Sequence, residues 1–302
     1  MIETLRHRLP HGIELSCRVS GEPGRPVMLF LHGFPEAAFA WDELLAHFSR
    51  PEHGGYRCVA PDLRGFGESS APADVALYRA KHLVQDVCAL ISLEAGAQPL
   101  AALVAHDWGG AVAWSVANQH PGLMARLVIL NSPHPGTFWR ELRHNPAQQA
   151  ASAYMNFLIR PNAEALLSEQ DFGRMWGFFA DEATPRVPPA WLDEAMRERY
   201  RQVWSRGLNG GLNYYRASPL RPARPGDAGA DGVELPASMW RIDVPTLVLW
   251  GMRDRALLPA LLDGLDQHIA RLRVERLAQA SHWLVHEEPQ TVMRQIADFL
   301  QS

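Results

Sequence analysis

Short apolar runs alternate with helical spacing along the N-terminal part of the chain, after a hairpin pattern at 5–19. The apolar runs lie at 27–31, 57–60, 100–105 and 126–130, and the helical spacings at 41–50, 78–95 and 109–119. Each run is short and apolar on both faces, as is typical of strands buried in a parallel sheet. The alternation therefore predicts a parallel sheet with helices on both of its faces.

The alternation stops after residue 132 and resumes at residue 242. The stretch 133–241 is mostly helical in pattern and rich in Trp and Tyr, and it contains a Pro/Gly-rich loop at 221–236 that is either ordered or a flexible excursion. The returning elements are a strand at 246–250, a helix near 257–269, a strand at 272–277 and a closing helix from Pro289. We predict an α/β core formed by 1–132 and 242–302, with a helical cap at 133–241.

The amino-acid composition of the chain limits the classes of function that it can have. The 302 residues are 47% hydrophobic and 21% charged, as in an ordinary globular protein, and a net charge of −4 gives no reason to expect nucleic acid or an anionic membrane as a partner. The sequence has no apolar run that predicts a transmembrane helix and no secretory signal, so a cytoplasmic enzyme is expected. Cys17, Cys58 and Cys88 have no CxxC spacing, which favours neither a disulfide framework nor a zinc site.

A strand–turn–helix junction at 105–110 (AHDWGG) carries the main chemical signal. Small residues flank Asp107 at positions −2, +2 and +3, which is the spacing of a nucleophile elbow, where bulky side chains clash with the sharply turned backbone. The central side chain then projects above the sheet, and the N–H of Trp108 can help to bind an oxyanion. The plainer interpretation is a turn whose Asp caps the helix, and the three small residues favour the elbow.

An aspartate at the centre of the elbow restricts the reaction. A serine that attacks an sp³ carbon forms an ether, which activated water does not easily cleave, whereas a carboxylate forms an ester, which water does cleave. Asp107 therefore predicts alkyl transfer followed by ester hydrolysis, with epoxides or alkyl halides as electrophiles. This chemistry needs no metal and no organic cofactor, and it argues against ordinary esterase or lipase activity.

The other catalytic parts follow other strands. Asp254 comes four residues after the strand 246–250, at the carboxyl edge where ligand groups gather, and His282 follows the next strand. The resulting order of nucleophile, acid and base is that of the α/β-hydrolase fold. The loop 32–36 (HGFPE) can offer the N–H of Phe34 as a second oxyanion donor, or it merely closes its strand. The rival candidates are Asp243 and Asp263 for the acid and His286 for the base.

Five segments together resemble the epoxide hydrolases of the α/β-hydrolase superfamily, with haloalkane dehalogenases as close relatives. They are HGFPE (32–36), DLRGFGESS (62–70), HDWGG (106–110), the turn at Asp254 and SHW (281–283). The resemblance spans essentially the whole chain. It implies a nucleophilic Asp107, an acid Asp254 and a base His282, with the amides of Phe34 and Trp108 in the oxyanion hole. In that family, a proline at the position of Pro35 often follows a cis peptide bond.

Two cap tyrosines bear on the choice between epoxide and halide. An opening epoxide develops charge on an oxygen that stays in the product, and a neutral phenol suits it as a proton donor. NYYR (213–216) resembles the family's Asn-aromatic-Tyr-Arg motif and gives this role to Tyr215. The family has another, less specific motif for a first cap tyrosine, and Tyr154, seven residues before Pro161, resembles it. Ordinary packing with a water-facing hydroxyl is the alternative for both.

A departing halide needs N–H donors instead. The indole of Trp108 could supply one, and dehalogenases of this fold often take the second from an Asn at the position of Phe34 or from a cap Trp. The cap tryptophans that keep this option open are Trp139, Trp176, Trp191 and Trp204. Trp108 also stands where haloacid-type relatives carry Arg, which disfavours haloacids. Asn131 stands where some dehalogenases place the triad acid, which strengthens the assignment of Asp254 as the acid.

We therefore predict an epoxide hydrolase that forms a hydroxyalkyl ester on Asp107 and releases a vicinal diol after His282 activates water. The aromatic cap suggests a small apolar or aryl epoxide as substrate. Haloalkane dehalogenation by the same nucleophile is the first alternative. A catalytically silent protein that binds a small apolar ligand under the cap is the second.

Overall fold

A computed structural model describes residues 1–180 and 188–302 of the chain. Its strands are β1 (Glu3–Arg8), β2 (Glu14–Ser20), β3 (Val27–Leu31), β4 (Arg57–Pro61), β5 (Ala102–His106), β6 (Leu127–Leu130), β7 (Thr246–Gly251) and β8 (Leu272–Leu277). They form one sheet in the order β1-β2-β4-β3-β5-β6-β7-β8. The pairs β1–β2 and β2–β4 are antiparallel and the other neighbours are parallel. This confirms the predicted α/β-hydrolase fold with a mostly parallel sheet.

Helices flank the sheet and fill the connection between β6 and β7. The α-helices are α1 (Asp42–Phe48), α2 (Ala80–Ala95), α3 (Asp107–Gln119), α4 (Pro135–His144), α5 (Pro146–Ala151), α6 (Tyr154–Leu158), α7 (Ala163–Trp176), α8 (Glu194–Trp204), α9 (Asn209–Ala217), α10 (Leu284–Glu287) and α11 (Pro289–Gln301). The 3₁₀ helices are Ala38–Trp41, Pro51–His53, Val75–Tyr78, Pro121–Leu123, Gly177–Phe179, Gly229–Gly232, Ala237–Met239, Pro259–Leu262 and Leu265–Gln267. The backbone of α7 leaves helical geometry at 169–172.

The central strands are buried on both faces, because their alternate side chains enter two different cores. Leu29 and Leu31 of β3 join one apolar cluster, whereas Met28 and Phe30 join the other. Complete burial of such a side chain stabilises the fold by about 1.5–3 kcal/mol. The continuous apolar runs of the sequence therefore reflect helices packed on both faces of the sheet.

The helix expected near 257–269 is wrong in type, because the structure has two 3₁₀ helices there. Pro259 stands at the start of the first, where its fixed φ and missing N–H are tolerated. Gly264, with φ of 76°, then turns the chain into the left-handed region and separates the two.

Helices α4 to α9 lie in the range predicted to form the cap, 133–241. The core and cap boundaries stay a prediction, and residues 181–187 of that range lie outside the described residues. The Pro/Gly-rich loop at 221–236 is held by an ion pair between Arg221 and Asp227, whose closest N–O distance is 2.6 Å. Within the described residues, the helices are too short or too polar to cross a membrane.

Candidate active site

The β5–α3 junction turns sharply at Asp107, whose φ of 49° is unusual for a residue other than glycine. A Cβ atom on Gly109 would collide with the carbonyl oxygen of Leu31, and one on Gly110 would collide with the side chain of Ser132. The same Ser132 hydroxyl donates a hydrogen bond to the Asp107 carbonyl oxygen over 2.7 Å. The two glycines of the junction are therefore required by close packing against Leu31 and Ser132.

The Asp107 carboxylate accepts a hydrogen bond from one backbone amide, and a second amide follows it in the chain. The N–H of Phe34 donates a hydrogen bond to its Oδ1 over 2.8 Å, and the peptide bond between Phe34 and Pro35 is cis. Trp108 lies in the first turn of α3, where backbone N–H groups have no acceptor within the helix. The loop after β3 and the start of α3 thus converge on one carboxylate.

His282 lies between two carboxylates. Its Nδ1 donates to Oδ2 of Asp254 over 2.7 Å, and its Nε2 is 3.6 Å from Oδ2 of Asp107. Although burial opposes the charged imidazole, the carboxylates of Asp254 and Asp107 outweigh it and raise the pKa of His282 to about 9. The gap of 3.6 Å is too long for a hydrogen bond, which leaves Nε2 able to bind a water molecule.

Both oxygens of the Asp254 carboxylate accept hydrogen bonds from the surrounding protein. Oδ1 accepts the N–H groups of Ala256 and Leu257, both over 2.9 Å. Oδ2 accepts the side-chain amide of Asn131 over 2.5 Å, and Asn131 Oδ1 in turn accepts the N–H of Gly251 over 2.7 Å. Burial would raise the pKa of Asp254, but His282 and these donors lower it, so the carboxylate stays charged. The sequence showed only that position 131 carries no acid, and it did not predict that Asn131 would bond to Asp254.

A second buried carboxylate supports the loop of His282. His106 donates from Nε2 to the His282 carbonyl oxygen over 2.9 Å, and its Nδ1 is 3.1 Å from Glu36. Glu36 also accepts from His286 over 2.6 Å and from Tyr200 of α8 over 2.9 Å. Burial alone would raise the pKa of Glu36, but His286 and His106 hold it well below its usual range. The rival base His286 therefore points to Glu36 and not to Asp107.

The rival acids lie away from these groups. Asp243 is exposed and pairs with Arg241 over 2.7 Å, and Asp263 is exposed as well. Glu36 and His106 had not been assigned roles from the sequence, although both lie inside the quoted motifs HGFPE and HDWGG. Membership of those motifs was the signal that could have identified them.

A cavity of about 510 Å³ opens onto the Asp107 carboxylate and His282. Tyr154 and Tyr215 both line it, with their ring centroids 6.1 Å apart, and the Tyr215 ring is 5.0 Å from that of Trp108. Burial, reinforced by the nearby Asp107 carboxylate, raises the pKa of both phenols well above the ordinary value, so both keep their protons at neutral pH. The aromatic residues of the lining are Phe34, Tyr154, Phe178, Phe179, Tyr215 and Trp283.

The cap tryptophans do not offer their N–H groups to this cavity. Three indoles donate to backbone carbonyl oxygens: Trp139 to Val233 over 2.9 Å, Trp176 to Asp171 over 2.8 Å and Trp204 to Pro35 over 2.8 Å. The Trp191 indole is buried without a hydrogen-bond partner among residues 1–180 and 188–302, and Trp191 is not one of the residues that line the cavity. Within residues 1–180 and 188–302, none of these four tryptophans therefore offers a second N–H donor to a halide at Asp107.

Comparison with known proteins gives concordant results. A family model described as alpha/beta hydrolase fold matches residues 26–289. The chain is 35% identical to Epoxide hydrolase 3 of Xenopus tropicalis over 96% of its own length and 75% of that protein, and 32% identical to Epoxide hydrolase 4 of Mus musculus over 96% and 77%. The crystal structure of a Bacillus megaterium epoxide hydrolase with an inhibitor superimposes with a TM-score of 0.87 at 30% identity, and the match covers 99% of this chain and 100% of that one.

Proposed function

The chain belongs to the epoxide hydrolase family of the α/β-hydrolase fold, and on this premise we propose that it adds water to an epoxide and releases a vicinal diol. The observation that carries the proposal is the cavity shared by two protonated phenols, Tyr154 and Tyr215, and the carboxylate of Asp107. Phenols suit an oxygen that develops negative charge and stays in the product. Three cap indoles bond to backbone carbonyl oxygens and Trp191 does not line the cavity, which favours this reaction over dehalogenation.

In the first half-reaction, Tyr154 and Tyr215 donate hydrogen bonds to the epoxide oxygen. Oδ2 of Asp107 attacks a ring carbon from the side opposite the breaking C–O bond, while Oδ1 stays on the Phe34 N–H. The released oxygen takes a proton from a phenol, and a hydroxyalkyl ester remains on Asp107. Holding the reacting groups in line replaces a bimolecular encounter by an effectively unimolecular step.

In the second half-reaction, Nε2 of His282 removes a proton from a water molecule, which attacks the carboxyl carbon of the Asp107 ester. The negative charge that develops on Oδ1 is held by the N–H groups of Phe34 and Trp108. The intermediate collapses when the bond between the carboxyl carbon and the diol oxygen breaks. That oxygen takes the proton from His282. The second proton of the water, left on the Asp107 carboxyl group, passes to the tyrosine phenolate, which regenerates both the carboxylate and the phenol.

An aryl epoxide is the proposed class of substrate, because six aromatic side chains line the cavity. The test is to follow diol formation from styrene oxide and from a short alkyl epoxide with the purified chain. We expect a vicinal diol from both, with the lower KM for styrene oxide. Diol at only the spontaneous rate, together with halide release from an alkyl bromide, would instead identify a dehalogenase.

Tyr215→Phe is expected to slow ester formation by about 10²-fold, because one of two proton-donating phenols is lost. The hydrolysis of the ester is expected to keep its rate. Single-turnover kinetics with styrene oxide separate the two steps. Tyr214→Phe is the matched control, since its hydroxyl donates to the Arg64 carbonyl oxygen over 3.0 Å. It should lower stability by about 1 kcal/mol without slowing ester formation, and an equal slowing in both variants would contradict the role of Tyr215.

The two half-reactions are expected to differ in pH dependence. His282 has a pKa of about 9 partly because the Asp107 carboxylate is charged. Esterification removes that charge, so the pKa of His282 in the ester intermediate lies lower. Because the neutral imidazole is the base, ester hydrolysis should accelerate as the pH rises through the lowered pKa and then level off. Single turnovers between about pH 6 and pH 10 check this, and hydrolysis that slows as the pH rises would contradict it.

A further inference from the structure

A glutamine of the inserted helices, Gln148 of α5, is completely buried and bonds to the loop that carries the acid Asp254. Its Nε2 donates to the Ala256 carbonyl oxygen over 2.8 Å, and its Oε1 accepts the N–H of Leu258 over 3.0 Å. The same Nε2 donates to the hydroxyl oxygen of Ser152 over 2.8 Å. A flipped amide would set N–H against N–H and oxygen against oxygen, so the partners fix its orientation.

The loop after β7 is therefore held from two sides. From the core side, the Asp254 carboxylate accepts the N–H groups of Ala256 and Leu257. From the side of the insert, Gln148 bonds to the carbonyl oxygen of Ala256 and the N–H of Leu258. A displacement of α5 would pull directly on the loop whose backbone fixes the Asp254 carboxylate.

The same glutamine also begins a short hydrogen-bonded path to Tyr154. Ser152 is bound to Gln148 by its hydroxyl and by its backbone N–H, which donates to the Gln148 carbonyl oxygen over 2.9 Å. The Ser152 carbonyl oxygen in turn accepts the N–H of Met155 over 3.0 Å. Tyr154 stands between Ser152 and Met155 at the start of α6, so these bonds to Ser152 restrain its backbone.

We propose that Gln148 is a positioning residue that fixes the phenol of Tyr154 relative to the Asp254–His282 pair, so that both half-reactions depend on one buried amide. The inference rests on the proposed function, because it assigns Tyr154 to epoxide opening and Asp254 to the base. Gln148 touches no reacting group and acts only through the residues that it holds. An amide suits this position because its Nε2 donates to the Ser152 hydroxyl and the Ala256 carbonyl oxygen while its Oε1 accepts the N–H of Leu258.

The test is a double-mutant cycle between Gln148→Met and Tyr154→Phe, made in a His282→Gln chain so that the ester accumulates. The measured quantity is the rate at which the mass of a styrene oxide adduct appears. Methionine has a similar length and no hydrogen-bonding amide. We expect Gln148→Met to slow adduct formation about 10- to 100-fold when Tyr154 is present, and less than about threefold when Tyr154→Phe has already removed the phenol.

Asn118→Ala is the matched control. The Asn118 amide also links core and insert, since it donates to the carbonyl oxygens of Ser238 and Arg241 over 3.0 and 2.9 Å. It lies eleven residues beyond Asp107 on α3, about 16 Å along the helix axis. It should lower the melting temperature without changing the rate of adduct formation. If Gln148→Met does not fold, Gln148→Glu replaces it in the cycle, because glutamate keeps the acceptor for Leu258 and loses both donated bonds.

Equal slowing by Gln148→Met with and without the Tyr154→Phe substitution would overturn the inference, because the effect would not pass through the phenol. A fall in melting temperature with an unchanged adduct rate would overturn it as well, since Gln148 would then act on stability alone. Absence of any adduct in the parent His282→Gln chain would refute the proposed function itself. The adduct rate, measured by mass, and the melting temperature together distinguish these outcomes.

Discussion

Asp107→Ala is expected to reduce diol formation to the spontaneous rate, a loss of about 10⁶ in kcat by analogy with the removal of other catalytic nucleophiles. The variant has no carboxylate to form the ester, and water activated by His282 has no carbonyl carbon to attack. The Phe34 N–H and the oxyanion site stay in place but bind no intermediate. Turnover of styrene oxide, measured by chromatography of the diol, checks the prediction.

The control for this prediction is Asp243→Ala, which removes an exposed carboxylate that pairs with Arg241. It should leave turnover unchanged. Retention of more than about 1% of the activity by Asp107→Ala would contradict covalent catalysis. It would indicate direct attack of water on the epoxide with His282 as the base.

His282→Gln is expected to stop turnover after one equivalent of epoxide, with a loss of steady-state rate of about 10⁴–10⁶. Ester formation needs the Asp107 carboxylate and the phenols, whereas ester hydrolysis needs a base within reach of the bound water. His282 Nε2 lies 3.6 Å from Asp107 Oδ2, which brings the base close to the carboxyl group that the water would attack. A single-turnover burst followed by a flat baseline is the expected trace.

The control here is His286→Gln, which removes an imidazole that contacts Glu36 and does not face Asp107. If His286→Gln slows turnover, the ester intermediate should still not accumulate. A burst in the His286 variant and none in the His282 variant would reverse the assignment of the base. Steady turnover by both variants would remove histidine from the mechanism.

The elbow and the order of the strands could be predicted because they depend on local rules. The small residues around Asp107 satisfy a steric requirement of one turn, so their spacing is visible in the sequence. Asp254 and His282 follow successive strands of a parallel sheet, and parallel strands bring their carboxyl ends to one edge. The geometry of these three residues therefore agrees with the expectation, while their chemical roles stay predictions.

The supporting residues could not be predicted, because their partners are remote in the chain. Asn131 bonds to Asp254, Gln148 bonds to Ala256, and Glu36 bonds to His286, in each case more than a hundred residues away. Such contacts depend on how loops from different strands pack, and no spacing rule records them. Trp139, Trp176 and Trp204 show the same limit, because their indoles donate to backbone carbonyl oxygens that carry no sequence signal.

The wrong prediction of an α-helix at 257–269 has a different cause. Apolar residues recur there at intervals that fit both an α-helix and successive 3₁₀ turns. Pro259 and Gly264 were the local signals that distinguish the two, because proline starts a new turn and a glycine with positive φ ends one. A helical pattern that contains a proline and a glycine at such positions is therefore better interpreted as two short elements than as one helix.

The intact mass of the His282→Gln chain, after exposure to styrene oxide and separately to an alkyl bromide, decides whether an epoxide alkylates Asp107. We expect a mass gain equal to the whole epoxide, located on the peptide that contains Asp107. We expect no such adduct when Asp107→Ala is added. A gain from the bromide alone, equal to the alkyl group without the halide, would contradict the assignment as an epoxide hydrolase, and no adduct from either reagent would contradict alkyl transfer to Asp107.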